Sequence, residues 1–247
     1  MTLRQMIKRL SRVFGVEVFD RSAMPLGLSF EADFLRLVRP RPDAVAFDVG
    51  ANAGQTLERF AAFFPWSRIY CFEPNPVAFA KLEAAAANIP CASAVAMALG
   101  QTNAPAPLLL FENSELCRIR CSTDTGTDRE IPVLMGRLDD FCSKHNIDTI
   151  TLLKTDCEGY DEEVLRGAEG LFSGGRVLSV FAEVNFRRDG RHGDFFSIHE
   201  FLTARGMTYV HCYDLNMWQD KLDTTWMNGL WVKTDSCPGG AVAQRSL

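Results

Sequence analysis

In ITLLKTDCEGYDEEVLRGA, residues 150–168, an apolar run gives way to Lys154, Asp156 and Glu158 at alternating positions. On an extended chain, alternate side chains leave from one face, so the three charges would stand together. Burying them is costly unless they are paired, so the strand should emerge into a polar cleft there. Asp156 or Glu158 could accept a proton if burial and a partner bring its pKa toward the working pH. Lys154 could instead pair with one of them and keep it ionised. The two carboxylates could also hold a divalent cation. A structural reading makes Lys154 an ion-pair partner, with Asp161, Glu162 and Glu163 favouring a helix N-terminus.

A second stretch could hold a ligand. In AFDVGANAGQTLERF, residues 46–60, Val45 and Phe47 lead to Asp48, and Gly50-Ala-Asn52-Ala-Gly54 then turns into a helix. Gly50 and Gly54 permit backbone angles and close approach that a side chain would block. The first amides of the helix have no intrahelical partner and would face the ligand. The spacing is not that of the dinucleotide fingerprint G-x-G-x-x-G. Asp48 could accept from an amino group and Asn52 could contact a carboxylate, which suits the amino-acid end of S-adenosylmethionine better than a pyrophosphate. The next strand ends in CFEPNP, where Glu73 is placed to take both hydroxyls of an adenosine ribose. Pro74 ends that strand and Pro76 suits the first turn of a helix.

Both stretches need strands that end at one edge of a sheet. Runs at 44–49, 68–73, 91–99, 149–156 and 176–184 read as strands, with helices near 55–64, 76–87, 161–168 and 197–205. Continuous apolar strands separated by helices imply a mostly parallel sheet covered on both faces, an α/β Rossmann-like architecture. MTYVHCY and GLWVK read as a terminal hairpin, with His211 as a core histidine. Between Gln101 and Leu138, LLLFE, CRIRC and IPVLM around TDTGTD read as a small antiparallel insertion. LRQMIKRLSRVF places Leu3, Met6, Ile7, Leu10, Val13 and Phe14 on one helical stripe with basic residues elsewhere, a face for the domain, for a second copy in a homo-oligomer, or for a membrane surface. The expected division is an N-terminal helical extension over 1–40, one domain over 41–235 and a flexible tail over 236–247.

The 247 residues are 47% hydrophobic and 23% charged, which is the composition of a globular domain. A net charge of -5 argues against a nucleic-acid partner. No run reaches the length of a membrane span, and the N-terminus carries no apolar signal core, so a cytoplasmic location is expected. The eight cysteines lack metal-site spacing and read as reduced thiols, and no metal site is assigned.

FDVGANAGQT, CFEPNP, RLDDF, LLKTDCEGYDEEVLRGA and FAEV, in that order from about Val45 to Glu183, resemble the FkbM family of S-adenosylmethionine-dependent methyltransferases. The most specific part is Lys-x-Asp-x-Glu-Gly followed by VLRGA. The resemblance implies a class I methyltransferase fold with seven strands ordered 3-2-1-4-5-7-6 and the last antiparallel. It implies O-methylation of a hydroxyl on a sugar, glycan or secondary metabolite. S-adenosylmethionine would be held by Asp48, Gly50, Asn52, Gly54, Thr56, Glu73 and Pro74, with Asp156, Glu158 and Lys154 as catalytic residues. Thr155, Cys157 and Tyr160 depart from the family pattern. Glu183 and Asn185, one strand further on, and Trp218, in the connection before GLWVK, are candidates for substrate contact. Two rival readings share the fold: a nicotinamide-dependent oxidoreductase, whose glycine pattern is missing, and a binding protein that has lost the chemistry.

Overall fold

A computed structural model describes residues 3–234 except 17, 20–23, 66, 122–123, 125–128, 187–192 and 219–222. The expected tail, His192 and most of TDTGTD lie outside the described residues. In chain order the strands are β1 (Val45–Val49), β2 (Arg68–Phe72) and β3 (Ala92–Val95). Five short ones follow, β4 (Ala98–Leu99), β5 (Ala106–Leu109), β6 (Arg118–Ile119), β7 (Glu130–Val133) and β8 (Met135–Gly136). The last four are β9 (Leu152–Thr155), β10 (Ser179–Val184), β11 (Met207–Trp218) and β12 (Asp223–Lys233). The main sheet runs β3-β2-β1-β9-β10-β12-β11. Counted among its own strands alone this is 3-2-1-4-5-7-6, and β12 is antiparallel to both neighbours.

The helices are α1 (Leu3–Val13), α2 (Phe30–Val38), α3 (Gln55–Phe63), α4 (Pro76–Ala86), α5 (Leu138–Lys144), α6 (Asp161–Arg166), α7 (Glu169–Ser173) and α8 (Phe195–Thr203). At the start of α4 the Asn75 side chain accepts from the Val77 amide at 3.0 Å, and Pro76 takes the first turn, where no donor is needed. Gly167 separates α6 from α7. A Cβ there would lie 2.1 Å from the Gly100 carbonyl oxygen, so the chain turns where only glycine fits.

Each strand of the main sheet feeds two cores. Phe47, Leu153, Val180 and Trp231 face one, and Ala46, Leu152, Phe181 and Leu230 face the other. The second core contains Phe30 and Phe34 of α2, with Phe30 stacked on Phe181 at 3.9 Å between ring centroids. Residues assigned by sequence to an extension thus cover the sheet itself. Asp33 of α2 is buried and fully used: it accepts from the Gly27 amide, Arg36 and the Tyr213 hydroxyl, each at 2.7 Å. On α1 and just beyond it, Met6, Ile7, Leu10, Val13 and Phe14 are exposed. No helix among the described residues is long and apolar enough to cross a membrane.

Three expectations are corrected. The strand foreseen over 91–99 is two strands, because the chain turns at Ala96 and Met97 and β4 leaves the main sheet for β8. The β4–β8 pair is parallel, so only β6-β5-β7 forms the antiparallel insertion. His211 is exposed rather than in the core, its Nδ1 2.8 Å from the Cys212 carbonyl. A strand at the sheet edge keeps its alternation even where one side meets solvent, which is why the run read as buried.

Candidate active site

The Gly50–Gly54 loop leaves β1 and is fastened to the end of β2. The amides of Gly50 and Ala51 both donate to the Phe72 carbonyl at 3.0 Å. The Asn52 amide donates to Glu73 Oε2 at 2.9 Å, and the Asn75 amide donates to Glu73 Oε1 at 2.7 Å. Glu73 is therefore clamped through one lone pair on each oxygen, and each oxygen keeps acceptor capacity. Burial pushes its carboxyl up, against the lowering effect of the two amides. Gly50 has φ +80°, and a Cβ on it would sit 1.8 Å from the Asp156 carbonyl oxygen. Glycine is thus required there by the approach of the β9 exit as well as by any ligand.

Asp156 follows β9, the strand beside β1, and its amide donates to the Val49 carbonyl at 3.0 Å. Behind it, Lys154 Nζ lies 3.0 Å from Asp48 Oδ1 and 3.3 Å from Asp156 Oδ2. Burial alone would lower the Lys154 pKa, but the charges of Asp48 and Asp156 outweigh it and hold the ammonium protonated. Asp48, expected to meet an amino group of the cofactor, is fully enclosed, and its near charge is Lys154. Lys154 is likewise buried, so it positions Asp156 rather than facing the cleft.

The cleft at this edge has two lobes that share Gly50, Asn52, Glu115, Asp156 and Glu158. The inner lobe lies between Glu73, Pro74 and an apolar wall that includes Met97, Leu99, Leu108 and Ile119. The outer lobe adds Gln55, Leu116, Glu183 and Trp226. Burial, reinforced by the charges of Asp156 and Asp161, pushes the Glu158 carboxyl up to about 7. Glu183 at the end of β10 is pushed well above the usual range by burial and then by Asp156, Asp161 and Glu158. Asp161, assigned by sequence to helix electrostatics, is fully buried, accepts from the Cys157 amide at 3.4 Å and is pushed up to about 6 by burial.

Glu73, Pro74, Gly50, Asn52, Asp156, Glu158 and Glu183 are brought together. Gly54 begins α3, and Thr56 and Asn185 line neither lobe. The Trp218 side chain lies outside the described residues, whereas Trp226 of the same hairpin lines the outer lobe. The insertion supplies what sequence reasoning missed. Its Ser114 hydroxyl donates to Asn52 Oδ1 at 3.1 Å, and Glu115 and Arg118 line the inner lobe. An unremarkable NSEL between short strands carries no sign of that contact.

In the inner lobe a clamped carboxylate with spare acceptor sites lies beside an apolar wall, at the switch point where open α/β sheets bind ligands. Residues 48–209 match the family model described as "Methyltransferase FkbM domain". The 2-O-methyltransferase NoeI of Sinorhizobium fredii is 26% identical over 52% of this chain, and the match spans 59% of that protein. The 31-O-demethyl-FK506 methyltransferase FkbM of Streptomyces tacrolimicus is 29% identical over 70% of this chain and 76% of that protein. Among solved structures, an rRNA methylase from Streptococcus thermophilus aligns with a TM-score of 0.46 at 12% identity, over 81% of this chain and 92% of that one.

Proposed function

This chain belongs to the FkbM methyltransferase domain family, whose cofactor is S-adenosylmethionine, and from that premise we propose that it methylates a hydroxyl of a sugar, glycan or secondary metabolite. The observation that carries the reading is the two-lobed cleft, with Glu73 in one lobe, Glu183 and Trp226 in the other, and Asp156 and Glu158 at their junction. A cofactor in the inner lobe and an acceptor in the outer one would meet at those two carboxylates.

Glu73 would hold the ribose hydroxyls, with Met97 and Leu99 against the adenine. When bound, S-adenosylmethionine supplies an activated methyl group on sulfur. Asp156, fixed by Lys154, orients the acceptor hydroxyl. Glu158 receives the hydroxyl proton as the oxygen becomes methylated, since its half-buried position suits proton exchange near neutral pH. The hydrogen bond from Ser114 to Asn52 ties the insertion to the glycine loop beside the cofactor site.

Calorimetric titration with S-adenosylmethionine, its demethylated product and NAD tests the cofactor. Binding of the first two, weakened in Glu73→Ala, is expected, and binding of NAD alone would overturn the reading. Labelled methyl transfer to hydroxylated acceptors then tests the chemistry. Asp156→Asn and Glu158→Gln should lose transfer while keeping cofactor affinity, and full activity in both would sink their assigned roles.

A further inference from the structure

One ligand oxygen from each of Asp156, Glu158 and Glu183 lies within 4.8 Å of the other two. The sheet register explains how residues so far apart in sequence meet. Thr155 pairs with Ala182 between β9 and β10, so Asp156 and Glu183 are the next residues along two neighbouring strands. Glu183 pairs in turn with Asn228 on β12, and opposed residues present their side chains on the same face.

Glu183 is 6% exposed, and its Oε2 has no hydrogen-bond partner among the described residues. Asn228 Oδ1 is also buried without a hydrogen-bond partner among them. Burying such oxygens unsatisfied is costly, and more so for a charged group. The cation at hand, Lys154, is already shared between Asp48 and Asp156 Oδ2. Glu183 Oε2 and Asn228 Oδ1 thus lack donors where three carboxylates converge, while Lys154 reaches only Asp156 among them and Arg118, whose charge also acts on Glu158, is paired with Asp124 at 2.7 Å.

We propose that Asp156, Glu158 and Glu183 form a binding site for one hard divalent cation of the Mg²⁺ or Mn²⁺ class. An all-oxygen carboxylate set selects that class over zinc or copper. Oxygens on opposite sides of a Mg²⁺ ion are about 4.2 Å apart, so three oxygens within 4.8 Å of one another need only a small side-chain adjustment to share one. Asp156 Oδ2 is held by Lys154, which leaves its other oxygen for the ion. Glu158 can bind through one oxygen. The outer lobe opens the remaining positions to water or to the acceptor hydroxyl. That last role rests on the methyltransferase reading; the binding site does not.

The test is the electron paramagnetic resonance signal of free Mn²⁺ titrated with the full chain, with no cofactor present. One bound ion per chain is expected, with Glu183→Gln and Asp156→Asn each weakening the dissociation constant at least about tenfold. Glu162→Gln, which on α6 pairs with Arg166 and lines neither lobe, should bind as the parent does. Melting curves identify any variant that has failed to fold, and the remaining one then decides. No Mn²⁺ binding at millimolar concentration, or binding undiminished in a folded Glu183→Gln protein, would overturn the site. Mn²⁺ binding without S-adenosylmethionine binding would leave the site standing and remove the methyltransferase role.

Discussion

Lys154 and Asp48 face each other in register across β9 and β1, Nζ to Oδ1 at 3.0 Å, both sealed from solvent. Their neighbour Asp156 reaches the cleft from the same face, so a buried ion pair anchors a partly exposed carboxylate at the cleft.

Removing one partner leaves the other charged and buried. Lys154→Met should therefore destabilise the fold by about 3–5 kcal/mol. The double variant Asp48→Asn with Lys154→Met should recover much of that loss, because no charge is then stranded. Urea unfolding of the three proteins checks it.

Glu73 holds its own loop and, on the proposed reading, the cofactor ribose. Glu73→Ala would remove that proposed acceptor and leave the Asn52 and Asn75 amides without their bonds. Hydrogen bonds to a charged group are worth about 1.5–3 kcal/mol each, so losing the two from the ribose hydroxyls should weaken S-adenosylmethionine binding by roughly 100-fold or more. Glu73→Gln should fall between, since one oxygen remains an acceptor. Calorimetry reads both.

The two loop glycines should differ sharply. Gly50→Ala forces a Cβ to 1.8 Å from the Asp156 carbonyl, which requires the loop or the β9 exit to move. Gly54→Ala meets Leu82 Cδ1 at 3.3 Å, and its main cost is the left-handed backbone, about 1–2 kcal/mol. Melting temperature should drop further for Gly50→Ala, with cofactor binding lost.

Arg59 of α3 binds Glu31 of α2 at 2.6 Å and Asp214 of β11 at 2.9 Å. Burial alone would raise the Glu31 pKa, but its bonds to Arg59, its own backbone and Ser29 outweigh that and lower it below 4.5. A depressed folded pKa gives stability that is present above the unfolded value and lost as pH falls through the folded one. Stability of the parent should therefore fall more steeply than that of Glu31→Gln below about pH 4.5. Chemical denaturation between pH 3 and pH 6 checks the slope.

Much of the fold was legible. The strands at 45–49, 68–72, 152–155 and 179–184 announce themselves as apolar runs, because a sheet covered on both faces leaves no alternation to interpret. The glycine loop and the Glu73 strand end were legible for a different reason: backbone geometry there restricts residue type. Helix α2 was not, since FEADFLRLV is short and mixed, and only contact with Phe181 and Tyr213 reveals why Phe30, Asp33 and Phe34 are where they are. The insertion was seen as short strands, but its contact with Asn52 was not.

By itself the sequence determined most of the elements, the order in which they follow one another, and the residue types at each strand end. Local periodicity reports burial and turning, which depend on near neighbours. The tertiary structure alone decided partners. Asp48 reads as a cofactor contact until β9 places Lys154 beside it. Glu183 reads as a secondary contact until strand register sets it against Asp156. Which side chains meet across a sheet follows from crossover and register, and these are set by the packing of the whole domain.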